Sequence, residues 1–238
     1  MSAFLYGVAL QWKLDIRSKS LLVSCYLVPL IFFALMGGIF TSINPEMKDA
    51  LIQSMTILGV SMGAFIGFPV SLVETYGSDV KNVYKVNGVP LFFGLISMFL
   101  STFIHLLLMS AIILLAAPVA FGAKLPQNLP LYFAALAVFT AVSLSIGGIL
   151  GLIVKSQAKL TMFSQLIFLP SIMLSGIMFP LELLPKALSF IGKIFPAAWG
   201  YQLMLNEGFR LQNLWYLLLL FMASIIVCAL LLRKLAKE

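Results

Sequence analysis

Uncharged runs alternate with short polar interruptions along nearly the whole chain. They occupy Leu21 to Phe40, Leu51 to Val73, Leu91 to Ala117, Leu131 to Val154, Leu160 to Met178 and Leu214 to Leu232. About 20 apolar residues cross the hydrocarbon core of a bilayer, so the pattern predicts six transmembrane helices. Between Lys85 and Lys124 lie 38 residues without Lys, Arg, Asp or Glu, too few for two spans and a turn. With Pro90 and Pro118 near its ends, Leu91 to Ala117 is expected as one long, tilted span.

Two shorter patterns are amphipathic. Phe4, Val8, Trp12 and Ile16 recur every four residues, with Leu5 beside them and Lys13 and Arg17 one turn apart. That spacing predicts a helix within residues 1–19 lying in the cytoplasmic interface. No small-x-small cleavage site follows, so the first run reads as a retained anchor. Farther on, Leu184, Leu188, Ile191 and Phe195 share one helical face and Lys186, Ser189 and Lys193 the other. This predicts a short helix opened by Pro185 and stopped by Pro196, too short to span, inside an outer, re-entrant segment 179–198.

Composition agrees with the pattern. The chain has 238 residues, 62% hydrophobic and 10% charged, where a soluble domain carries about 25% charged residues. The class is an all-α integral membrane protein forming a single transmembrane domain, 1–238. A net charge of +7 would point to nucleic acid in a soluble protein, but here the basic residues cluster at the ends of apolar runs, which leaves no nucleic-acid partner. With the N-terminus inside, ten of them fall in inner segments: Lys13, Arg17, Lys19, Lys81, Lys85, Lys155, Lys159, Arg233, Lys234 and Lys237. Five fall outside: Lys48, Lys124, Lys186, Lys193 and Arg210. This bias predicts that both termini are cytoplasmic. Cys25 and Cys228 show no metal or redox spacing, and no metal site is expected.

The longest polar interruption in the first half is Glu74 to Leu91, which the same bias places inside the cell. It carries Glu74, Asp79, Lys81 and Lys85, a turn signal at Asn87-Gly88, and Pro90. Connections between elements have a median of about four to six residues, and a solvated loop that satisfies only the orientation rule has no need of this length. Val80, Val83 and Tyr84 form an apolar stripe at helical spacing, with Val86 nearby, which suits a groove on a soluble partner.

Small residues mark two packing seams, Gly59, Gly63 and Gly67 in the second run and Ser143, Gly147 and Gly151 in the fourth. Beside the first seam, Met62, Phe65 and Phe68 either line a path for a hydrophobic solute or pack against helices and lipid. Met173 and Met178 in the fifth run and His105 in the third join them as pathway candidates. An intramembrane histidine relays protons, meets substrate, or forms a hydrogen bond between helices.

Several activities are excluded by what the sequence lacks. No Gly-x-x-x-x-Gly-Lys-Ser/Thr phosphate loop occurs, so ATP energy has to come from a partner. No Gly-x-Ser-x-Gly or intramembrane acid pair supports a hydrolase, and no catalytic residue is assigned. The apolar cores carry no Asp, Glu, Lys or Arg and no Thr-Val-Gly-Tyr-Gly run, which disfavours the alternative, a secondary transporter or channel independent of an ATPase.

The runs Leu174-Ser175-Gly176-Ile177-Met178-Phe179-Pro180, Leu183-Leu184-Pro185-Lys186 and Ile194-Phe195-Pro196-Ala197-Ala198-Trp199 resemble the signature between spans five and six of type 2 ATP-binding-cassette (ABC) transporter permeases. The order of features along the whole chain is similar to the same family. Glu74-Thr75-Tyr76-Gly77 departs from a more charged Glu-Arg-Glu-like start, and Ile194-Phe195-Pro196 from Leu-Asn-Pro. The resemblance implies that Ser78 to Gly88 is a coupling helix seated on a separate ABC ATPase, with Glu74, Asp79, Lys81, Val83, Tyr84 and Lys85 as contacts. It also implies ATP and Mg on that partner with no cofactor on this chain, and a second permease copy, identical or different. The implied setting is the plasma membrane of a bacterium. The implied cargo is exported and hydrophobic or amphipathic: a drug, a peptide antibiotic or a lipid-like molecule.

Overall fold

The computed structural model describes residues 3–43, 45–77, 80–178, 184–205 and 211–237, among which the regular structure is helical and no strand occurs. Helix α1 spans Ala3–Arg17 and α2 spans Lys19–Ile43. Helix α3 is Leu51–Tyr76, α4 is Val80–Val86, α5 is Leu91–Phe121 and α6 is Leu129–Ile153. Helix α7 is Gln157–Met173, α8 is Lys186–Gly192, α9 is Pro196–Leu205 and α10 is Leu211–Lys237. An all-helical protein is what lipid demands, since a backbone in hydrocarbon has to satisfy its own hydrogen bonds.

Five helices among the described residues, α2, α3, α5, α6 and α10, are long and apolar enough to cross a membrane. The fifth expected span, Leu160 to Met178, differs. It forms α7, 17 residues long, which gives way to a turn at Leu174 four residues after Pro170. At 1.5 Å per residue α7 is about 26 Å long, shorter than each of the other five. Pro196 also does more than expected. It ends the stretch after α8 and opens α9, because a proline at the first helical position gives up no hydrogen bond. Within the 179–198 segment, residues 179–183 lie outside the described residues.

Helix α3 is the centre of the bundle. In its membrane-spanning window 83% of residues are buried, against 22% for α2 and 17% for α10. Both small-residue seams pack, but against different partners. Gly59 and Gly63 of α3 receive Met109 and Leu106 of α5, and Gly67 receives Ser24 of α2. On α6, Gly147 lies against the carbonyl oxygen of Ala64, and Gly151 against Leu72 and Pro69. Helix α6 therefore touches the α3 backbone itself, which only a residue without Cβ permits.

This contact yields a first prediction. Gly147→Val forces a branched side chain into the Ala64 carbonyl, and overpacking of this kind costs about 1–3 kcal/mol. It is expected to lower the melting temperature and monodisperse yield of detergent-purified protein. Gly38→Ala, whose new Cβ meets nothing nearer than Phe121 at 4.0 Å, is expected to leave both unchanged.

Candidate functional site

The connection between α3 and α5 is built as a braced helix. Helix α3 ends at Tyr76, whose hydroxyl donates to the Leu91 carbonyl at 2.6 Å, joining the last residue before the connection to the first residue after it. Helix α4 is closed by Gly88 in the left-handed region, φ 67°, with the Val89 N–H donating to the Tyr84 carbonyl at 2.9 Å. Pro90 then starts α5 in an extended conformation. Tyr84 and Tyr76 converge on Gly94, where an added Cβ would lie 2.7 Å from the Tyr84 ring and 2.9 Å from the Tyr76 oxygen.

The expected contact residues separate accordingly. Val83 is 57% exposed and Val86 87%, so these two valines form the outward apolar stripe. Tyr84 turns inward and half-buries itself against α5. Glu74 is exposed at the end of α3 and accepts a hydrogen bond from Gln157 Nε2 at 3.3 Å, which joins it to the start of α7. Lys81 and Lys85 sit on α4, but their side chains, like all of Asp79, lie outside the described residues.

The described clefts do not gather the six pathway candidates. Met62, Phe65 and Phe68 are buried within the helix packing around α3. Met173 is exposed at the end of α7, and Met178 is half-buried against the core beyond it. Phe68 alone of the six lines a described cleft.

His105 belongs to a different cluster, which sequence spacing does not reveal. Its ring stacks on Trp12 of α1, with centroids 4.0 Å apart and planes 7° from parallel. Its Nδ1 shares a 2.7 Å hydrogen bond with the Tyr26 hydroxyl of α2. On α5, Ser97, Ser101 and His105 recur every four residues and face α1, where Asp15 is only 4% exposed. Gln11 Nε2 donates to Asp15 Oδ1 at 2.8 Å. Asp15 Oδ2, Ser97 Oγ and His105 Nε2 are buried without hydrogen-bond partners.

Tyr26 reaches His105 from a π-turn, Val23–Leu27, and that turn packs against a second one in α3, Gly63–Gly67. An extra residue in a helical turn re-aims the side chains beyond it, and such turns concentrate at functional sites. Two facing π-turns, in α2 and α3, lie where these helices meet α1 and α5 and their unpartnered Asp15, Ser97, Ser101 and His105 atoms.

Sequence spacing located His105 but not Asp15, which reads as one more interfacial charge beside Lys13 and Arg17. The signal available was its position on the Val8 and Trp12 side of α1, the side that the fold buries. Burial pushes the Asp15 carboxyl above its ordinary value of 3.8, while the nearby Ser101 hydroxyl and the hydrogen bond from Gln11 oppose the rise. A carboxyl whose folded value lies above its unfolded one contributes fully below the unfolded value, and that contribution is lost as pH rises through the folded value.

Asp15→Asn is therefore expected to match the parent chain below about pH 4 and to become the more stable of the two as pH increases. The gap should grow by about 1.4 kcal/mol for each pH unit separating the folded and unfolded values. Thermal melts of the two proteins over a pH series check this, and coincident curves at every pH would show that burying the carboxylate costs nothing.

A family model described as ABC-2 type transporter matches residues 3–209, which includes α1, the braced α4 connection and α9. No curated protein matches the chain.

Proposed function

The chain belongs to the ABC-2 type transporter family, a multi-pass membrane permease component, and from that premise we propose that α4 is its docking element for a separate ABC ATPase. The ATPase burns ATP with Mg beneath the membrane, and the permease converts the resulting movement into passage of a hydrophobic or amphipathic cargo outward. The observation that carries this reading is the brace under α4. Tyr76, Leu91, Tyr84 and Gly94 fix a short helix rigidly to the ends of α3 and α5 while Val83 and Val86 remain exposed. Two exposed valines one turn apart suit an apolar groove on a protein partner.

The orientation follows from the same proposal. Helix α4, Lys155, Lys159, Arg233 and Lys234 share the cytoplasmic side, and both termini are there. A second permease copy completes the pathway, because among the pathway candidates only Phe68 lines a cleft described in one copy. A drug, a peptide antibiotic or a lipid-like molecule fits spans whose interior is Phe, Met and small residues.

Ion-driven transport without an ATPase is the second reading, favoured by the buried Asp15 and His105. The two readings separate in one experiment. Coexpressed with a cognate soluble ATPase, the permease should copurify with it and raise its ATP hydrolysis in proteoliposomes. Val83→Asp and Val86→Asp each place an unpaired charge in the docking groove and are expected to weaken ATPase binding at least tenfold, about 1.4 kcal/mol or more, with membrane insertion unchanged. Cargo movement driven by a pH gradient with no ATPase present would favour the second reading instead.

A further inference from the structure

An apolar cleft of about 430 Å³ opens on the side of the bundle formed by α5, α6 and α10. Its floor is buried: Phe68 of α3, Leu144 and Ser145 of α6, and Cys228 of α10. Its rim is exposed at Phe92 and Ile96 of α5 and at Ile225 of α10. Gly148 leaves the floor open, since an added Cβ there would be in ordinary contact with Cys228 Sγ at 3.4 Å and Phe68 at 3.7 Å. The glycine is not needed for close helix approach at this point, so the space above it is a property of the surface.

Three further features select an occupant. Along α5 the cleft runs from Phe92 to Leu100, about 12 Å of helix, and along α10 from Phe221 to Leu232, about 16 Å. One leaflet of a hydrocarbon core about 30 Å thick is about 15 Å deep. The cleft begins at the end of the bundle where α5 starts and α10 finishes, so it spans the leaflet on that side. At its mouth Leu232 is followed directly by Arg233 and Lys234, both exposed, and Arg233 stands one turn beyond the lining residue Ala229. A predominantly apolar slot of leaflet depth, with basic side chains at its headgroup end, matches a chain with an anionic head.

We propose that this cleft is a retained binding site for one anionic phospholipid, its acyl chain lying between α5 and α10 over Gly148 and its headgroup paired with Arg233 and Lys234. The site is separate from the α4 connection and does not depend on how the permease is driven.

Native mass spectrometry of the full chain, delipidated in mild detergent and offered phosphatidylglycerol or phosphatidylcholine, tests it. The parent chain is expected to hold one phosphatidylglycerol and to prefer it over phosphatidylcholine at least tenfold. Gly148→Leu fills the floor and Ala229→Phe crowds the exposed rim, and each should abolish retention while the protein stays monodisperse. Arg233→Gln with Lys234→Gln should keep lipid binding and lose the headgroup preference. The proposal is overturned if the parent chain shows no preference, or if both filled variants retain lipid as the parent does. It is also overturned if filling the cleft changes the oligomeric state while lipid binding is unaffected, which would make it a seat for a second copy.

Discussion

The contact on which the rest of the bundle depends is that between α6 and the α3 backbone. In lipid there is no hydrophobic force to drive one apolar helix against another, so association rests on close packing and the few polar links available. Gly147 and Gly151 let α6 lie against Ala64, Pro69 and Leu72, and Gly59 and Gly63 on α3 admit Met109 and Leu106 of α5. Helix α3 is thereby held from two sides, by the glycines of α6 on one and by its own glycines on the other. That is why it is the most buried of the spanning helices, and why its lower end is a fixed point from which α4 can be braced.

Polar groups at membrane depth follow a different logic. Thr56 and Tyr132 share a 2.8 Å hydrogen bond, and Ser54 donates to Tyr201 at 3.2 Å, so α3 is also linked to α6 and α9 through hydroxyls. Those pairs are satisfied. The Asp15, Ser97 and His105 atoms without partners are not, and a partly satisfied network in a low dielectric is a cost that the fold has to offset elsewhere. The stacking of Trp12 on His105 and the edge-on contact of Phe4 with Phe93 supply part of that offset along the α1 to α5 seam.

Much of the fold was legible because lipid simplifies the code. Length and charge alone identified α2, α3, α5, α6 and α10 to within a few residues at each end, since a spanning helix is set by bilayer thickness. The Gly59 and Gly147 seams were legible as seams, but not which helix each would meet, because small-residue spacing states a distance and not a partner. Helix α9 was not legible: Pro196 carries equal weight as a stop and as a first helical residue. At the candidate site, Val83 was readable as an exposed apolar residue. The inward turn of Tyr84 was not, since it depends on the absence of a side chain at Gly94, ten residues away in sequence. Asp15 was hidden for the same kind of reason, its burial being decided by α5.

The two special regions are joined by one helix. Helix α5 begins at the Leu91 carbonyl that Tyr76 holds, carries the Gly94 notch in its first turn, and presents Ser97, Ser101 and His105 to α1 over the next three turns. A displacement of α4 is therefore delivered first to the foot of α5 and the end of α3, and both helices lead to the level where the π-turns of α2 and α3 meet. Regular helix transmits a push along its axis with little loss, whereas a π-turn has weaker hydrogen-bond geometry and is where bending concentrates. Under the proposed docking of α4, a stiff foot beneath a compliant middle would convert movement at the membrane surface into a change of angle between helices. His105, one of the residues with an unsatisfied buried atom, is joined to the α2 π-turn through Tyr26, so a change of angle there would be felt first at its ring.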